Sequence, residues 1–196
     1  MRKICVFLLS ILTVFILIGC GQIKEKNTTL KRVNLTEREK LLMNLSGNNI
    51  LLYEIENFKG EGKYNLSISY EVYENGELVK EHRLGVIRGD AAEREASKNW
   101  KLGINLLDDE IKYVVAEGGA IYSGGGELDE DLSEYGRTSF ASETTFNKGS
   151  EVYIYYGIKS YSISAELPLG KKIDDEVMKK LLEKKERIML IKLSYK

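Results

Sequence analysis

The sequence predicts a mainly β fold: an antiparallel β-sandwich of immunoglobulin-like layout with two short helices. Three observations carry that expectation. Apolar and polar residues alternate in seven to nine short runs spaced 8–15 residues apart. Tight-turn residues of the antiparallel kind separate the runs. Helical spacing of apolar residues is confined to two brief stretches, too few for the crossovers of a parallel sheet.

The elements follow in chain order. Thr36 and Glu39 form a capping box, and Leu41, Leu42 and Leu45 continue it as a helix to about Ser46, stopped by Gly47-Asn48-Asn49. A strand is expected at 50–56. In the next, Tyr64, Leu66, Ile68, Tyr70 and Val72 share one face, while Asn65, Ser67, Ser69 and Glu71 share the other. Asn75-Gly76 follows, a dipeptide suited to a turn needing positive φ twice, and a return strand covers 78–88. With Glu74 opposite Glu77, the register places Val79 against Val72, Lys80 against Glu71 and His82 against Ser69. It also turns Glu81 and Arg83 to the core, so a bulge or a sheet edge is expected there.

Trp100, Leu102, Ile104 and Leu106 mark a further strand, returned across Asp108-Asp109-Glu110 by 111–115. Gly118-Gly119 and Gly124-Gly125-Gly126 flank Ala120–Ser123 and read as a mobile surface loop. Phe140, Ser142, Thr144 and Phe146 alternate, and Asn147-Lys148-Gly149 turns the chain into a strand at 152–158. A short strand is expected at 160–167. Asp174 and Asp175 then cap a helix carrying Val177, Met178, Leu181 and Leu182, and a strand with Met189, Ile191, Leu193 and Tyr195 closes the fold.

The N-terminus has a different character. Arg2 and Lys3 precede a fifteen-residue apolar run, 4–18, that ends at Gly19-Cys20. A basic start, a short apolar run and a small-residue exit mark an export signal. A membrane-spanning helix needs about 20 apolar residues. Leu17-Ile18-Gly19-Cys20 resembles the lipobox of bacterial lipoproteins. The resemblance implies a diacylglyceryl group on the Cys20 thiol, cleavage before Cys20, and a chain anchored by lipid on the extracytoplasmic face of a cell membrane. Cys5 would leave with the signal, so the folded part would hold neither a free thiol nor a disulfide.

On that reading residues 20–34 are a lipidated polar tether and 35–196 a single domain. The whole chain has 29 basic and 30 acidic residues. Losing Arg2 and Lys3 leaves a net charge of −3, of which 21–34 contributes +3 and the remainder −6. A basic tether suits an anionic lipid surface or a plain spacer. An acidic domain without a basic stripe speaks against nucleic acid.

Few side chains suggest chemistry. His82 is the single histidine, and its adjacency to Ser69 lacks the pattern of an activated nucleophile. The acidic stretch 127–134 offers oxygens for a hard cation, but its spacing fails the EF-hand rule. The glycine runs lack the Lys-Ser/Thr ending of a phosphate loop. No cofactor is indicated. Tyr153 and Tyr155 lie two apart on one strand and are expected to share a face, exposed or half-buried: either ordinary strand packing or a surface for a protein or glycan partner. The expected function is a non-enzymatic binding or envelope-interaction module. An envelope hydrolase using paired carboxylates and a solute-binding lipoprotein of a transporter are the alternatives.

Overall fold

The computed structural model describes residues 27–45, 49–58, 62–90, 99–139, 143–159, 175–184 and 187–196. The apolar run 4–18, Cys5, Cys20 and the strand expected at 160–167 lie outside them. Two antiparallel sheets face each other, as the alternation predicts. The first holds β1 (Thr29–Arg32), β2 (Asn49–Glu56), β5 (Trp100–Leu106), β6 (Glu110–Glu117), β7 (Ala120–Glu127) and β9 (Glu143–Thr145), in the order β7-β6-β5-β2-β1-β9. The second holds β3 (Lys63–Glu74), β4 (Glu77–Asp90), β8 (Tyr135–Ser139), β10 (Glu151–Lys159) and β11 (Arg187–Tyr195), in the order β4-β3-β11-β10-β8. Two helices, α1 (Glu37–Leu45) and α2 (Glu176–Lys184), complete the described fold.

Residues 29–32, expected to belong to a tether reaching residue 34, form a strand of the fold instead. β1 is an interior strand between β2 and β9, with Leu30 fully buried and the Thr28 carbonyl accepting from Phe146 N–H at 2.8 Å. A stretch that is polar overall still supplies one leucine to the core and pairs on both sides at Thr29, Leu30 and Lys31, which suffices for a strand.

Local chemistry explains the turns. Asn75 and Gly76 take φ of 50° and 87°, as a two-residue hairpin requires. Gly118 and Gly119, at 52° and 92°, do the same between β6 and β7. The glycine-rich stretch is therefore a hairpin and not a mobile loop: Gly124, Gly125 and Gly126 are strand residues, paired in unbroken register with Tyr113, Lys112 and Ile111. A Cβ on Gly124 would lie 2.6 Å from the Tyr113 hydroxyl, and one on Gly85 of β4 only 1.8 Å from it. Two sheets thus yield room for one phenol between them. Gly85→Ala should cost about 1–3 kcal/mol through overpacking. Adding Tyr113→Leu should recover part of that loss, so that urea denaturation of the double variant shows less than the summed effects.

The β3–β4 hairpin starts in the expected register, Glu74 opposite Glu77, and then departs from it twice. A bulge sets Lys80 opposite Val72 and Glu81 opposite Glu71; a second sets Arg83 opposite Ser69 and Gly85 opposite Ile68. The Ser69–His82 adjacency therefore does not form. His82 lies opposite Tyr70, with ring centroids 5.4 Å apart. β4 is also a sheet edge, so bulge and edge together keep Glu81 and Arg83 off the core.

One end of the sandwich is closed by aromatic rings. Phe58 sits 4.3 Å from Trp100, 4.9 Å from Tyr195 and 5.2 Å from Tyr64, between centroids. Thr28 enters the fold at this end. The opposite end gathers α1, α2, the β3–β4 turn and the segment after β7. Its two helices differ. The capping box of α1 is formed, with Thr36 N–H donating to Glu39 Oε2 at 2.7 Å and Glu39 N–H to Thr36 Oγ1 at 3.3 Å. The leucines of α1 do not reach the core: Leu41, Leu42 and Leu45 are exposed, Leu45 to 75%. In α2, Met178 and Leu182 are buried one turn apart, while Val177, expected beside them, points outward.

Candidate functional site: the acidic end of the sandwich

Opposite the aromatic end, the β5–β6 turn and the segment following β7 enclose an open pocket of about 770 Å³. Leu107, Asp108, Asp109, Leu128, Asp129, Glu130 and Asp131 line it. Backbone bonds hold the two walls together: Leu128 N–H donates to Asp109 O at 2.8 Å, and Leu132 N–H to Asp108 O at 2.7 Å. The segment then makes one 3₁₀ turn, Leu132–Glu134, capped by Asp131, whose Oδ1 accepts from Ser133 N–H at 2.9 Å.

The acids of this stretch were candidates for an ion site, but most are committed to protein partners. Glu130, buried to 92%, accepts from Tyr135 Oη at 2.6 Å and from Arg187 Nε at 3.1 Å, and pairs with the second guanidinium nitrogen as well. Arg187 also reaches Glu74 at 3.2 Å. Asp129 pairs with Lys80, and Glu134 with Lys159 at 2.7 Å. Among the described residues, no group of three or more His, Cys, Asp or Glu side chains could hold a metal ion. The segment instead acts as a strap, fastening the end of β7 to β4, β10 and β11 of the facing sheet.

Burial pushes the Glu130 carboxyl up, but the bonds from Arg187 and Tyr135 outweigh it and hold it below the ordinary glutamate range. Burial and the adjacent Glu130 carboxylate push the Tyr135 phenol well up, so it remains a donor.

A second polar cluster lies within the other sheet. Glu71, 2% exposed, accepts from Tyr73 Oη at 2.9 Å and Tyr153 Oη at 2.8 Å, both on Oε2, and its Oε1 pairs with Lys192. Lys192 extends to Glu81 at 3.0 Å. Burial disfavours its charge, but the hydrogen bonds to Glu71 and Glu81 prevail and raise its pKa. Burial and Glu71 push Tyr73 up to about 12 and Tyr153 further in the same direction.

This arrangement corrects the expected binding face. Tyr153 and Tyr155 are both buried, and a bulge at Ile154 places Tyr153 opposite Lys192 but Tyr155 opposite Ile191, so the two point to different faces of the sheet. The bulged carbonyl of Ile154 accepts from Tyr53 Oη of the facing sheet at 2.5 Å. Tyr153 serves the Glu71 network and Tyr155 the inter-sheet core, so neither is presented to a partner. What sequence reasoning missed is the exposure of the α1 leucines. The spacing of Leu41, Leu42 and Leu45 marks a helix, but nothing local says whether its apolar stripe meets the core.

The architecture is that of a two-sheet antiparallel β domain in which the buried carboxylates Glu71 and Glu130 are held in internal networks. The YgaN domain family matches the chain over residues 29–195, from the first strand to the last, and the chain belongs to that family. Neither curated proteins nor solved structures match it. No helix among the described residues is long and apolar enough to cross a membrane.

Proposed function

We infer that the chain is a lipoprotein, anchored through Cys20 to the extracytoplasmic face of a cell membrane, whose YgaN domain binds a protein partner at the acidic end. The lipobox resemblance at Leu17-Ile18-Gly19-Cys20 supports the anchor. Eight residues lead from Cys20 to Thr28, at the start of the described fold. Fully extended they reach about 28 Å, which keeps the domain beside the bilayer. Two acyl chains would make that attachment stable.

The observation that carries the binding role is the α1 face. Leu41, Leu42 and Leu45 are more than half exposed, on one stripe of one helix, at the end of the sandwich that holds the acidic pocket. Exposed apolar clusters rimmed by charge mark interaction sites. A partner with apolar side chains and basic neighbours would suit both features. The glycan alternative rested on an exposed tyrosine pair, and those tyrosines are buried. A carboxylate hydrolase is the less supported reading: the buried carboxylates Glu71 and Glu130 are paired with Lys192 and Arg187.

Cys20→Ala should abolish palmitate labelling and release the chain from the membrane fraction; unchanged labelling and fractionation would refute the anchor. Separately, Leu41→Glu/Leu45→Glu should abolish co-purification of a crosslinked partner from membranes without altering the thermal melt. Retention of the same partner would move the binding surface off α1.

A further inference from the structure

We propose that β7 is a homodimerisation edge, pairing antiparallel with β7 of a second copy about a two-fold axis through Ser123. Among the described residues the sandwich has four edge strands, and three are guarded. β4 is bulged twice and carries Glu77, Lys80, Glu81, Arg83 and Arg88. β8 has five residues and β9 three. β7 alone is eight residues long, unbulged, free of proline, and without charge until Glu127 at its end. Such an edge is an open template for another strand.

The hairpin parity says which backbone groups are on offer. Glu117 and Ala120 flank a two-residue turn and so exchange bonds with each other. Leu128 N–H, an even number further on, donates to Asp109 O at 2.8 Å, in keeping with that pattern. Even-numbered residues of β7 therefore bond inward to β6, and the N–H and C=O groups of Ile121, Ser123 and Gly125 point outward. All three residues are exposed. β4 approaches β7 at Gly126, an inward-bonding position, through Leu84 and His82.

The occupant is a second copy because the strand complements itself. Centred on Ser123, the antiparallel register sets Ser123 against Ser123, Ile121 against Gly125 and Tyr122 against Gly124. Each large side chain of the first half meets a glycine of the second, the outward groups coincide, and no like charges oppose each other. One strand's width of contact falls at the small end of specific interfaces, below about 1,200 Å². The dimer should accordingly dissociate on dilution.

Oxidative crosslinking of the full-length chain tests the register. Residues directly opposite as a bonded pair have Cα atoms about 5.5 Å apart, within the 4.4–6.8 Å a disulfide spans. Ser123→Cys should therefore give a disulfide-linked band of twice the monomer mass, absent from wild type. Ile121→Cys should not link to itself, because the two copies of residue 121 stand four residues apart, about 13 Å. Ser123→Pro removes only an outward N–H, which an edge strand tolerates. It should abolish the dimer seen by sedimentation in detergent and leave the melting temperature of the monomer unchanged. Equal crosslinking by Ile121→Cys, no crosslink by Ser123→Cys, a linked band whose mass reveals a different protein, or a dimer that survives Ser123→Pro would each overturn the proposal.

Discussion

Replacing Lys192 by methionine should destabilise the domain by about 3–5 kcal/mol, the largest effect expected of any single substitution outside the apolar core. Methionine keeps the length of the stem and removes only the cation. Glu71 is then left 2% exposed with two tyrosine hydroxyls for company and no opposing charge. A domain of this size should lose roughly 10 °C or more in Tm. Adding Glu71→Gln to the Lys192→Met chain should restore part of the loss, because an amide still accepts from Tyr73 and Tyr153 and carries no charge into the sheet. Urea denaturation of the two single variants and the double variant at pH 7 measures this. Lys192 itself does not titrate in that window. Its pKa is raised, so its contribution is complete below the ordinary lysine value, about 10.4, and is lost only as pH rises through the raised one. Additive losses in the double variant would show that the two side chains do not act as a pair.

The second large effect belongs to the strap. Arg187→Met should cost about 3 kcal/mol at pH 7, since it strands the Glu130 carboxylate with Tyr135 as its remaining donor. The pH dependence has a definite sign. Glu130 is held below the ordinary glutamate value in the folded chain, so its contribution is present above the unfolded pKa, about 4.3, and disappears as pH falls through the lower folded value. The gap between wild type and Arg187→Met should therefore narrow steadily below that pH. The variant should behave differently from wild type at higher pH as well. Without the guanidinium, burial dominates and lifts the Glu130 pKa, so in the variant Glu130 should add stability on acidification from neutral pH, whereas in wild type Glu130 contributes no such gain. Arg187→Lys keeps the charge but not the two-pronged geometry, and should fall between them. A gap that is constant from neutral to acidic pH would mean that Arg187 stabilises through packing alone.

Both networks were invisible in the sequence for the same reason. Glu71 and Lys192 are 121 residues apart, and Glu130 and Arg187 are 57 apart. With thirty acids and twenty-nine bases in the chain, no spacing singles out these pairs. The eight-residue strand β7 was misjudged differently. Its glycines suggested a loop, because a glycine lacks the side chain that makes a strand recognisable. Only the packing of Tyr113 over Gly85 and Gly124 shows why bare backbone is required there.

The sequence by itself determined what depends on neighbours along the chain. Period-two alternation specified two sheets with a shared core. Asn75-Gly76 set a hairpin, Thr36 and Glu39 a capped helix start, and the cysteine count the absence of a disulfide from residues 27–196. Tertiary structure alone decided which way the tyrosines point. The two faces of a strand differ by parity, and one inserted residue reverses every side chain beyond it. The bulge at Ile154 is held by a phenol from a strand about 100 residues away, Tyr53 in the opposite sheet. That single contact parts Tyr153 from Tyr155, sending one to a buried carboxylate and the other to the core between the sheets.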